Sequence, residues 1–136
     1  MDTLRAAYDE VYVYAMGRPG FLLQHVADVF AVQNATPDTK PISIVFGLAG
    51  LYLRVEKHFS GSQVQKVHMT LARKKRDWPK VHLPDHRGTL TVAEVLAASA
   101  GPERDRAIEE WCKSVWGSCN ANRGMIVELL KEYQII

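Results

Sequence analysis

The chain has 136 residues, of which 47% are hydrophobic and 24% charged, with a formal net charge of +2. That balance is ordinary for one soluble globular domain and argues against a strongly basic nucleic-acid-binding protein. The longest apolar stretch, residues 42–53, is far short of the roughly 20 residues a membrane span needs, and the start lacks the basic-then-apolar pattern of a signal peptide, so the cytoplasm is the expected location.

In chain order, Leu4, Ala7, Tyr8, Val11, Tyr14 and Ala15 recur at helical spacing, which predicts a first helix over residues 3–16. Gly17-Arg18-Pro19-Gly20 ends it. A second helix is expected over 21–33, with Leu22, Val26, Val29 and Phe30 on one face, His25 at its edge and Gln33 as a polar intrusion near its centre. Residues 34–40 read as a loop.

Residues 41–59 are the expected central helix. Between Ile42 and Leu53 only Ser43 is polar, and a helix apolar on every side belongs inside a bundle. Gly47, Ala49 and Gly50 leave room for a neighbouring backbone, at a cost of about 1 kcal/mol of helix propensity per glycine.

Ser60-Gly61-Ser62 starts the next helix, and both Ser60…Gln63 and Ser62…Gln65 fit a capping box. Val64, Val67, His68, Leu71 and Ala72 form its buried stripe. Arg73, Lys74, Lys75 and Arg76 are expected at its end, where cations complement the helix dipole. Residues 77–88 read as an irregular arm over the bundle, with Trp78 and Leu83 packed down. Thr91 and Glu94 form the clearest capping box of the chain and open a short helix to about residue 98. From Pro102 the apolar steps continue to Tyr133, which predicts one long helix over 102–134, bent near its glycines. Asn122 lies on its stripe. The architecture expected is all-α: a single-domain bundle of five to six helices around the central one.

Four segments together, DVFAVQ from Asp28, GLYLRVE from Gly50, RGTLTVAEVLAA from Arg87, and Trp111 with Ser114-Val115-Trp116, resemble a family of small bacterial proteins known only as a domain of unknown function. The resemblance runs from about Tyr8 to Tyr133 and implies no activity and no site residue. The resemblance also implies an origin on a mobile gene cassette as an expectation.

Polar residues on buried stripes are the candidate site. Gln33, Glu56, His68 and Asn122 must find partners, since each orphaned group costs on the order of 1–3 kcal/mol. They form either a hydrogen-bonded network or a small-molecule pocket in which Glu56 and His68 act as a carboxylate–histidine pair. The short turn between their helices suggests that the two meet. His25, His58 and His68 with Asp28 or Glu56 are the candidate metal ligands, but no His-x-x-x-His or Glu-x-x-His pair occurs, so no metal or other cofactor is expected. Cys112 and Cys119, seven residues apart on one face of a predicted helix and so too far apart to bond to each other, read as buried thiols.

Charge is uneven: residues 54–87 carry nine Lys/Arg against three acids. Arg73, Lys74, Lys75 and Arg76 beside Trp78 are the one candidate contact for an anion or nucleic acid, and a solvated helix end explains them more simply. The leading expectation is a small cytoplasmic binding or interaction protein. An enzyme around Glu56 and His68 is the alternative, and weak nucleic-acid or anion binding the second. A homodimer is expected because Trp111 and Trp116, on different sides of one helix, leave an aromatic face spare.

Overall fold

The computed structural model describes residues 3–74 and 76–136, and among these there are seven α-helices and no strand. They are α1 (Thr3–Met16), α2 (Leu23–Gln33), α3 (Pro41–Lys57), α4 (Gly61–Ala72), α5 (Val92–Ala97), α6 (Pro102–Ser118) and α7 (Arg123–Glu132), with 3-10 turns at Pro19–Phe21 and Asn120–Asn122. The bundle is all-α, as the apolar periodicity predicts.

α3 is the centre, touching α2, α4, α6 and α7. Ile44, Val45 and every residue from 47 to 53 are buried. Pro41 supplies the preset first turn, and His58 ends the helix in the left-handed region (φ 60°) while the Phe59 amide returns to the Leu53 carbonyl at 3.0 Å. The glycines let α2 come close. A Cβ on Gly47 would stand 2.7 Å from Val32 Cγ2, and one on Gly50 would stand 1.9 Å from Asp28 Oδ2. α1 lies outside, against α2 and α5.

The capping ambiguity resolves in favour of Ser60. Its Oγ accepts from the Gln63 amide and Gln63 Oε1 accepts from the Ser60 amide. Gly61 follows because a Cβ there would meet the Phe21 carbonyl oxygen at 1.8 Å. At the other end α4 stops at Ala72, so the cations expected in its last turn lie beyond it. Arg73 is the cap residue and Lys75 is outside the described residues.

The expected single helix over 102–134 is instead two helices joined by the 3-10 turn at Asn120–Asn122. A 3-10 turn advances by three residues, so it keeps the apolar side facing inward: Cys119, Ile126 and Leu130 are all fully buried across the break. Periodicity alone cannot reveal such a break. Trp111 and Trp116 are also both buried, so the spare aromatic face expected on this segment is absent.

Residues 77–88 lie over the bundle as expected. Trp78 is half-buried rather than enclosed, edge-on to Phe46 with ring centroids 5.2 Å apart, and Val81 and Leu83 pack against the core.

Candidate functional site

The four polar residues on buried stripes do not come together. Gln33 Nε2 donates to the carbonyls of Arg87 (2.9 Å) and Leu90 (2.7 Å), and its Oε1 accepts from Trp111 Nε1 (2.8 Å). Asn122 grips the arm further along: Oδ1 accepts from the His82 amide and Nδ2 donates to the His82 carbonyl at 3.0 Å. Both residues are therefore brackets for a segment without secondary structure of its own. Glu56 accepts from Trp116 Nε1 (2.8 Å) and from Arg123, whose guanidinium holds the carboxyl below its usual range.

His68 belongs to another group. Its Nε2 lies 2.9 Å from the Phe46 carbonyl, so that nitrogen carries the proton. Burial lowers its pKa, and the neutral ring then presents Nδ1 as acceptor to Gln24 Nε2 at 3.3 Å. Gln24 Nε2 also donates to Asp28 Oδ1 (3.1 Å), and His68 Nε2 stands 3.8 Å from that oxygen. The expected Glu56–His68 pair is thus replaced by Asp28 with His68. Similar distances from the turn fix how far along two helices a pair lies, not how each helix is rotated. Glu56 turns toward α6 and α7, and His68 toward α2 and α3.

The cluster around Asp28 is under-satisfied. Asp28 Oδ2 and His25 Nδ1 are buried without a hydrogen-bond partner. Burial raises the Asp28 pKa well above the ordinary carboxylate range, opposed by the Gln24 bond. Burial, helped by the charge of Arg54, lowers His25 to about 4. Oδ2 abuts Gly50, so that oxygen packs against the backbone of α3, and Asp28 as a whole is buried. Cys112 and Cys119 are free and buried, and burial raises both thiols, which makes them poor nucleophiles. Among the described residues no three His, Cys, Asp or Glu gather as a metal-binding group.

Gln24 escaped the sequence reading, although a signal existed: Asp28 is the lone formal charge in residues 21–33, and Gln24 sits one turn before it.

The basic cluster beyond α4 is partly consumed. Arg76 donates to Glu132 (2.7 Å) and Tyr133 Oη (2.9 Å) and lies over Trp78, while Lys74 lies over the Tyr133 ring. Arg73 is exposed.

A concavity lies between the approach to α3 and the arm. Residues 35–44, entering α3, and residues 80–87 of the arm flank a half-open cleft of about 380 Å³. Ala35, Ile44, Val81 and Leu83 supply apolar wall, and Lys80, Asp85 and Arg87 supply charge. Arg87 is rigidly held. Its Nε donates to the Pro84 carbonyl, and Nη1 to the carbonyls of Val32, Gln33 and Ala35 at 2.8–3.1 Å. It thereby caps the negative end of α2. Next to it, Gly88 (φ 81°) and Thr89 donate their amides to Ser118 Oγ (2.7 Å) and Ser114 Oγ (2.5 Å) on α6. Thr91 and Glu94 then close their capping box.

The RGTLTVAEVLAA block is therefore a clasp joining the end of α2, α6 and the start of α5. The sequence matches the family of unknown function DUF5946 over residues 5–120, and the chain belongs to that family. No curated protein and no solved structure matches it. No helix among the described residues is long and apolar enough to cross a membrane.

Proposed function

We propose that this is a small cytoplasmic binding protein whose ligand site is the cleft between residues 35–44 and the arm. The observation that carries the proposal is the make-up of that cleft. Its volume, about 380 Å³, lies in the range of small-molecule sites. An apolar wall facing Arg87, which four backbone carbonyls hold in place, supplies the fixed polar group that orients a ligand in such a site. The enzyme reading has less support, because Glu56 is committed to Trp116 and Arg123, and His68 to Phe46 and Gln24. Two free, buried thiols suit a reducing compartment.

A library of small organic compounds screened by thermal shift tests the reading, with Leu83→Trp as the control that fills the cleft. Compounds that stabilise the native chain should lose at least tenfold in affinity on Leu83→Trp. A screen without binders, or binders indifferent to Leu83→Trp, removes the cleft from the function.

A second copy of the chain remains a partner in this proposal, through the outer face of α1 in place of the buried tryptophans. Val13 and Met16 there are 67% and 62% exposed. Sedimentation equilibrium of Val13→Glu against the native chain tests it; a monomer mass at every concentration for the native chain ends it.

A further inference from the structure

Resting on the cleft reading above, we infer that the ligand is a small organic carboxylate with an apolar body, its anionic head held by Arg87 Nη2 and Lys80. The inference starts from charge compensation. Arg87 lines the cleft and is half-buried, yet among the described residues no carboxylate forms an ion pair with it. Four backbone carbonyls occupy Nε and Nη1, and among the described residues no acceptor pairs with Nη2. A cation with a free pair of N–H groups, desolvated on one side and immobilised on the other, is preorganised for an anion. Lys80 lines the same cleft, also without an ion pair among the described residues.

The same wall carries Asp85, which selects against a doubly charged head. With two cations and one carboxylate, the cleft is charge-matched to a monoanion. Arg87 Nη2 and Lys80 can hold either a carboxylate or a phosphate head, but Asp85 beside them disfavours the second negative charge that a phosphate carries at neutral pH. A carboxylate lacks that second charge, and its body then lies against Ile44, Val81 and Leu83.

The probes are sodium hexanoate and benzoate, their neutral analogues hexanamide and benzamide, and inorganic phosphate, titrated into 15N-labelled protein. The amides of Thr36, Thr39 and Val81 report on the cleft. Arg87 is left intact because it carries the clasp; Lys80→Ala, at an exposed position, tests the head-group contact without touching the fold. The acids should bind at least tenfold more tightly than the matching amides, and Lys80→Ala should weaken the acids about threefold while leaving the amides unchanged. Amides that bind as tightly as the acids overturn the carboxylate inference and leave the cleft reading standing. Phosphate binding more tightly than either acid overturns the carboxylate class. Probes that move none of these amides overturn the inference, and the Leu83→Trp screen then decides the cleft itself.

Discussion

In the clasp around Arg87, polar side chains meet partners at nearly every atom: Gln33 uses both ends of its amide, and Arg87 reaches four carbonyls. Between α2, α3 and α4, Asp28 keeps one buried oxygen unpaired, and His25, earlier on α2, keeps one buried nitrogen unpaired. Both regions place polar groups on faces that periodicity marks as core. The difference is what each must join. The clasp ties an irregular segment to two helices, and that segment's exposed carbonyls and amides saturate it. The cluster joins helices whose backbones are already bonded internally, so it has few groups to offer Asp28. The paired groups of the clasp tie segments together, whereas a buried group left unpaired, as at Asp28 Oδ2, costs free energy.

The largest test of this contrast is Gly50→Ala. The new methyl would fall on Asp28 Oδ2, so the variant should lose about 3 kcal/mol, the upper end for overpacking. Combined with Asp28→Ala the loss should shrink sharply, and additive losses in urea unfolding would show that the carboxyl is not what Gly50 accommodates.

Next in size is a pH effect. His25 has a folded pKa of about 4, below its unfolded value near 6.5. The unfolded chain therefore binds more protons between those values, and stability falls as pH drops from about 6.5 to 4, by roughly 2–3 kcal/mol from this residue. His68, shifted in the same direction, adds to the slope. Asp28 is shifted upward and acts oppositely: its contribution is fully present below the unfolded carboxyl pKa and is lost as pH rises through the folded one. His25→Leu should flatten the acid limb of unfolding midpoint against pH. An unchanged limb would mean that the ring is hydrated in the native state.

Arg87→Met comes third, at about 2 kcal/mol, since it orphans carbonyls at the end of α2. Thr91→Ala is smallest, about 1 kcal/mol, the usual value of an N-cap. An unaltered urea midpoint in either variant would weaken the description of the block as a clasp.

Most of the fold was legible because its signals are local. The capping boxes at Ser60 and Thr91, Pro41 at a helix start and the apolar run of α3 all act within a turn or two of chain. The site was less legible because its contacts are remote. Asn122 was visible as a polar intrusion, but its partner His82 is 40 residues away on a segment with no periodicity to read. Glu56 and His68 were correctly seen as polar groups near one turn, while helix rotation sent them to different neighbours. Arg87 stood inside a recognisable block, yet its task depends on α2 ending at Gln33 beside it.

The arm has a kinetic consequence. Residues 77–88 belong to no helix, and their backbone is fastened by side chains of Gln33, Asn122 and Ser118 from other segments. Such a segment can detach while the helices stay formed, so amide hydrogens at His82 and Gly88 should exchange with deuterium orders of magnitude faster than those in the middle of α3. Since the arm is one wall of the cleft, that local opening is also a door: a bound molecule would slow exchange at Gly88 and leave α3 unaffected.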